Sequence, residues 1–125
     1  MENGNENNNA AGPKVYKEVI FPGTVNNVIA DQYDIVMVAG DGTYKNIYSK
    51  SHDHRTEAVT MHYIIVQLDP AVFLRSHRSY ILNIRCVKSF EPGKKRLHVK
   101  MTDGSSAFVC EEMIAVFMEM YKALN

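Results

Sequence analysis

The sequence predicts a small, mostly β fold with little helix. Asp-Gly pairs at residues 41–42 and 103–104 each lie between two short runs rich in β-branched and aromatic residues, a setting in which this dipeptide favours a tight antiparallel hairpin. Residues 96–101 alternate polar and apolar side chains, as a strand with one buried face does. With 125 residues, the chain can build one self-supporting hydrophobic core.

The chain begins with a polar, Asn-rich segment and continues as a series of short strand-like runs. Residues 1–13 have too few apolar side chains for a packed core, so we expect them to be disordered and residues 14–125 to form the domain. Runs of apolar, β-branched and aromatic residues predict strands at residues 15–21, 25–30, 35–39, 44–48, 80–82, 87–90, 96–101 and 107–110.

Two segments have helical features. Residues 114–124 carry apolar side chains at helical spacing, and Glu111 and Glu112 suit the first turn of a helix because their charge complements its dipole. Residues 60–68 are ambiguous. Their Tyr-Ile-Ile-Val centre favours a strand, whereas Thr60 is a good N-cap and Pro70 would stop a helix. The pattern alone favours the strand.

The charge is balanced overall but unevenly distributed. Fourteen basic and fourteen acidic residues cancel, yet residues 75–100 contain eight basic residues and one acid, Glu91. A chain with segregated charge can present one positive face even when its net charge is zero. The alternative is that these cations are spread over solvated strand faces, and composition does not decide between the two.

Several classes of protein are disfavoured. The sequence has no apolar run of about 18 residues and no secretion signal, so we expect a cytoplasmic protein without a membrane segment. His52, His54, His62 and the two cysteines, Cys86 and Cys110, do not have the spacing of an established zinc site. There is also no phosphate-binding glycine loop and no triad-like arrangement. We expect no metal, no cofactor and no enzymatic activity.

Residues 73–83, which read Phe-Leu-Arg-Ser-His-Arg-Ser-Tyr-Ile-Leu-Asn, are the most informative stretch. They resemble the signature of the LytTR family, Phe-x-Arg-x-His-Arg-Ser-Tyr-aliphatic-aliphatic-Asn after a short helix, and every fixed position is filled. The resemblance extends over roughly residues 15 to 124. It implies an elongated antiparallel β fold of about ten short strands in small sheets. It also implies a short helix near 60–68, in place of the strand that the pattern favours, and a C-terminal helix near 111–124.

The resemblance implies a DNA-binding function. Members of this family insert loop side chains into successive major grooves and contact the backbone across the intervening minor groove. Several are dimers or bind direct repeats in promoters. We therefore expect sequence-specific binding of double-stranded DNA in transcription regulation, with a homodimer or a partner regulator as further partners.

The first candidate contact residues lie in the signature itself. Arg75, His77, Arg78 and Ser79 place cationic and hydroxyl groups close together, and guanidinium groups match phosphate or the O6/N7 edge of guanine. The resemblance assigns Arg78 to the DNA-contacting loop. In the alternative interpretation, Arg75 and His77 fix the loop through internal hydrogen bonds. We expect Asn83 to satisfy backbone groups at a turn.

Two further turns are candidate contacts. The resemblance places the turn at residues 40–45 in a second contact region, where Thr43, Tyr44 and Lys45 can reach DNA. Lys94, Lys95 and Arg96 form another positive turn that could hold phosphates. The alternative for both is an ordinary solvent-exposed hairpin tip.

One position departs from the family pattern. The loop before the C-terminal helix usually carries a Ser-Arg-Arg-like run, but here it contains Glu111 and Glu112. Carboxylates repel phosphate, although a glutamate can accept a hydrogen bond from cytosine N4. Binding could be weakened, redirected or lost. In the last case the domain would be a protein-interaction module that restrains a partner regulator.

Overall fold

The computed structural model describes residues 16–22, 28–51 and 54–125. Within these ranges ten strands form three small antiparallel sheets, accompanied by two helices. The elements are β1 Glu18–Phe21, β2 Val28–Asp31, β3 Ile35–Asp41, β4 Tyr44–Ser49, β5 Arg55–Glu57, α1 Met61–Ile65, β6 Phe73–His77, β7 Tyr80–Asn83, β8 Val87–Gly93, β9 Arg96–Met101, β10 Ser106–Cys110 and α2 Ile114–Leu124.

The largest sheet has the order β5-β4-β3-β7-β6. Strands β3 and β4 form the hairpin predicted from the first Asp-Gly pair, and Gly42 adopts φ of 61°, a conformation that glycine takes without strain. Strand β7 then pairs with the other edge of β3, Met37 opposite Leu82 and Val38 opposite Ile81. This long-range pairing joins the signature segment to the first hairpin.

The other two sheets are smaller. The three-stranded sheet has the order β10-β9-β8. Its central strand, β9, buries the side chains of Leu97, Val99 and Met101. The turn after β9 contains Gly104 with φ of 90°, so the second predicted hairpin is confirmed. Strands β1 and β2 form a two-stranded sheet. The prediction of a mostly β, antiparallel fold is therefore confirmed.

Two hydrophobic clusters form the core. One lies under the three-stranded sheet and α2, where Phe117 is fully buried and contacts the rings of Phe90 and Tyr121. The other lies beneath α1 and the β1–β2 sheet. A buried hydroxyl links two of the sheets, since Ser76 Oγ of β6 donates a hydrogen bond to the Phe108 carbonyl of β10 at 3.0 Å.

The helices agree with the family resemblance and not with the strand pattern at residues 60–68. Thr60 caps α1 by accepting a hydrogen bond from the Tyr63 N–H at 3.0 Å. The helix ends at Ile65 and tight turns continue to Leu68, so the chain has left helical geometry before Pro70. A 3-10 turn at Glu111–Met113 precedes α2.

Some strand boundaries differ from those predicted. The pattern missed β5 and β6, and the first strand begins later than expected, at Glu18. Residues 1–13, expected to be disordered, lie outside the described residues, as do residues 25–27.

Asn83 has the structural role that the sequence predicts. Its side chain is 1% exposed. Nδ2 donates to the Ile35 carbonyl at 2.9 Å, and Oδ1 accepts from the Arg85 N–H at 3.0 Å. The amide therefore links the end of β7 to the start of β3.

We predict that Asn83→Ala lowers the free energy of unfolding by about 1–3 kcal/mol, because a buried carbonyl and a partly buried N–H group lose their partner. Urea denaturation followed by circular dichroism measures the change. Asn46→Ala is the control, since Asn46 Oδ1 accepts an exposed hydrogen bond from Thr56 and its loss should cost less. Equal destabilisation by the two variants would contradict this role of Asn83.

Candidate nucleic-acid interface

The signature residues form the β6–β7 hairpin. His77 pairs with Tyr80 across the hairpin, so Arg78 and Ser79 form its turn. Arg78 is exposed, and its guanidinium makes no hydrogen bond or ion pair with the other described residues. The cation that the sequence ranks first is therefore accessible at the tip of a hairpin.

Three hydrogen bonds to other residues of the domain hold the turn in place. Arg75 Nη2 donates to the Arg78 carbonyl at 3.0 Å, and the Ser79 N–H donates to His77 Nδ1 at 3.1 Å. The Gly40 N–H donates to the Ser79 carbonyl at 2.7 Å. Arg75 and His77 thus make the internal bonds described by the alternative interpretation, whereas Arg78 does not.

The two candidate regions at 40–45 and 75–79 meet in one open groove. Its lining residues come from the first hairpin, the start of α1 and the signature turn: Gly40, Gly42, Lys45, Thr60, Met61, Arg75, Arg78 and Ser79. Lys45 Nζ donates to the carbonyls of Gly42 and Thr43, at 3.0 and 3.4 Å. Tyr44 is 55% exposed beside it. The groove therefore combines three cationic side chains with exposed hairpin residues.

A cluster of rings connects this groove to the three-stranded sheet. The His77 ring lies 4.6 Å from that of Phe108, and the Tyr80 ring lies 5.1 Å from it, measured between centroids. The Arg96 guanidinium lies over the Phe108 ring at 4.0 Å from its centroid, a favourable cation–π geometry. Arg96 is thereby held at the border of the signature hairpin.

The electrostatics of His77 reflect this crowding of cations. Partial burial is the main cause that lowers the pKa of the imidazole, and the charges of Arg78, Arg96 and Arg75 lower it further. The lowered pKa favours the neutral imidazole. The same three guanidinium groups form a concentration of positive charge around it.

Lys94 and Lys95 are exposed at the turn between β8 and β9. Lys95 adopts φ of 59°, and it is the one residue other than glycine with positive φ among those described. Glu111 and Glu112 are exposed in the 3-10 turn that follows Cys110, the residue that pairs with Arg96. The carboxylates thus begin next to the Arg96 end of the cationic surface.

Comparison with known proteins identifies the family. A family model of the LytTr DNA-binding domain matches residues 26–122. This chain belongs to the LytTR family. Its fold matches the LytTr DNA-binding domain of a protein named as a methyl-accepting/DNA response regulator from Bacillus cereus. The TM-score is 0.70 at 16% identity, over 84% of this chain and 96% of that one. None of the curated proteins compared with the chain is significantly similar to it.

Other possible sites in this LytTR domain are limited. No group of three or more His, Cys, Asp or Glu side chains could hold a metal ion among the described residues, which exclude His52. Cys86 is buried and Cys110 half-buried, and both are free thiols. No helix in the described part of the chain is long and apolar enough to cross a membrane.

We predict that Lys95→Gly raises the free energy of unfolding by about 0.5–1 kcal/mol, because glycine adopts the left-handed backbone of this position without the Cβ clash. Lys94→Gly removes the same charge where φ is not positive, so it should not stabilise the domain. Thermal unfolding of both variants gives the comparison. A stabilisation shared by both would assign the effect to charge and not to backbone strain.

Proposed function

We propose that this LytTR domain is a cytoplasmic transcription regulator that binds double-stranded DNA in a sequence-specific manner. The observation that carries the proposal is the meeting of the two hairpin tips, at residues 40–45 and 75–79, in one cationic groove with Arg78 exposed. Membership of a family of DNA-binding domains supports it. A promoter, including one with direct repeats, is the proposed target, and a homodimer or partner regulator the proposed assembly.

In this proposal the residues divide the work of recognition. Arg78, the cation without an internal partner, enters the major groove and reads base edges, for which a guanidinium is well suited. Thr43, Tyr44, Lys45 and Ser79 approach the backbone beside it. Lys94, Lys95 and Arg96 hold phosphates at the far side of the ring cluster. Arg75 and His77 act from behind the contact surface, by fixing the turn that carries Arg78.

The proposal is tested by selecting bound sequences from random duplex DNA and then measuring affinity for a selected and an unrelated duplex. We predict that Arg78→Ala lowers the difference between the binding free energies of the selected and the unrelated duplex by about 1–3 kcal/mol. This is the effect expected for the loss of a base contact. Arg85→Ala is the matched control. Arg85 is also exposed, but it lies near Tyr33 at the end of the β6–β7 hairpin opposite the turn. An unchanged difference in the Arg78 variant would refute its role in reading bases.

The two carboxylates before α2 give a second test. We predict that Glu112→Arg tightens binding to unrelated DNA at low salt and steepens the slope of log affinity against log salt by about one, because one phosphate contact is gained. Glu119→Arg, on an exposed position of α2, makes the same change of charge seven residues further on. If both variants gain affinity equally, the effect comes from net charge and Glu112 has no special place at the interface.

The exposed carboxylates also favour a second candidate function. Glu111 and Glu112 make no ion pair with the described residues, so they are available to contact a basic protein surface. They occupy the position at which relatives carry arginines that bind DNA. The domain would then restrain a partner regulator without reading DNA. Failure to enrich any sequence from random DNA, together with capture of a purified LytTR regulator, would favour this function over the first.

A further inference from the structure

The turn that carries Arg78 is closed by an imidazole acting as a hydrogen-bond acceptor. His77 Nδ1 accepts from the Ser79 N–H at 3.1 Å. A ring nitrogen accepts a hydrogen bond only when it carries no proton, because both nitrogens of the imidazolium are donors. The observed turn therefore requires neutral His77 with its proton on Nε2.

The same contact recurs at other turns of the molecule with a different acceptor. In four turns a side-chain oxygen accepts from the N–H two residues ahead, at 2.9–3.0 Å. The pairs are Asp31 with Tyr33, Asp69 with Ala71, Asn83 with Arg85, and Asp103 with Ser105. An amide does not titrate, and a carboxylate has an ordinary pKa of about 4. Among these kinds of acceptor, histidine is the one that becomes protonated, and so stops accepting, when the pH falls to about 5–6.

Ring contacts explain why a histidine fits this turn. The imidazole packs at 4.6 Å from the Phe108 ring and 6.1 Å from the Tyr80 ring. These contacts hold the ring so that Nδ1 stays aimed at Ser79. The side chain thus has two separable properties, a packed ring and an acceptor atom.

The charged groups that act on His77 are all cations. They are Arg75 from β6, Arg78 from the turn and Arg96 from β9, while β7 and β10 contribute the uncharged rings of Tyr80 and Phe108. No carboxylate of the described residues acts on the ring. Partial burial and the three cations place the pKa of His77 below 6.5. The hydrogen bond is thus complete above that pH and is lost as the pH falls through the lowered pKa.

We propose that His77 is a positioning residue for DNA recognition, whose neutral imidazole holds the turn that aims Arg78 and whose protonation releases that turn. This inference rests on the proposed function for its readout in DNA binding. Protonation has two opposite effects. It adds a positive charge near the phosphates, and it removes the bond that orients the base-reading side chain. Acidification should therefore lower discrimination between selected and unrelated DNA without lowering affinity for unrelated DNA.

The first experiment examines the turn without DNA. In ¹⁵N NMR spectra of the wild-type domain, we expect His77 to be the Nε2–H tautomer at pH 7. Its titration midpoint should lie below 6.5, and the Ser79 amide shift and hydrogen exchange should follow the same midpoint. A proton on Nδ1 at pH 7, or a Ser79 amide that does not respond when His77 titrates, would overturn the proposal.

The second experiment separates the acceptor from the ring. His77→Asn keeps an acceptor in a turn like that of Asn83 but cannot titrate, whereas His77→Phe keeps the ring and removes the acceptor. With the selected and unrelated duplexes measured from pH 5 to 7.5, we expect the Asn variant to retain discrimination without its dependence on pH. The Phe variant should lose roughly fivefold to tenfold of its discrimination between the two duplexes at every pH, which is the effect of one hydrogen bond.

The opposite ranking, with Phe retaining discrimination and Asn losing it, would mean that His77 serves only packing and would refute the proposal. Circular dichroism verifies that both variants fold. If one variant does not fold, the proposal is decided by comparing the pH profile of the other variant with that of the wild type and by the Ser79 amide titration. If the wild-type domain selects no DNA sequence, the proposed function fails, and the amide titration alone shows whether His77 holds the turn.

Discussion

The pairing of β7 with β3 is the contact on which the candidate interface depends. It brings residues 80–82 against residues 37–39 and so places two hairpin turns from distant parts of the chain side by side. The hydrogen bond from the Gly40 N–H to the Ser79 carbonyl, at 2.7 Å, continues that pairing to the turns themselves. Since backbone groups make these bonds, the side chains of both turns remain available for a ligand.

This arrangement distinguishes two kinds of side chain that look alike in sequence. Arg75, His77 and Arg78 are adjacent polar residues of one motif, yet Arg75 and His77 direct their side chains back to the turn and Arg78 does not. A strand places alternate residues on opposite faces, and the turn frees Arg78 from that alternation. An arginine on a rigid, internally braced turn loses less backbone entropy on binding than one on a mobile loop.

The sequence predicts the local features well, but it predicts poorly which separate segments of the chain come into contact. Both Asp-Gly hairpins and the cap at Thr60 have short-range chemical causes, and the structure contains them. Strand β5, Arg-Thr-Glu, has no apolar pattern, because it is an edge strand held by backbone pairing with β4. Nor does the sequence reveal that Arg96 lies over Phe108. That contact depends on the register of β9 and β10, which pairs Arg96 with Cys110 and His98 with Phe108 and so places Arg96 diagonally across from Phe108.

The zero net charge of the chain is compatible with a cationic surface because compensation acts only at short range. Charges separated by more than about 8 Å are largely screened at physiological ionic strength. Among the described residues the ion pair found is that of Lys17 with Asp31, at 3.4 Å, so the arginines around His77 are not neutralised locally. Most acidic residues lie elsewhere in the chain and cancel these arginines only in the sum. Glu111 and Glu112 follow directly after the strand partner of Arg96, so their position can change what this surface binds.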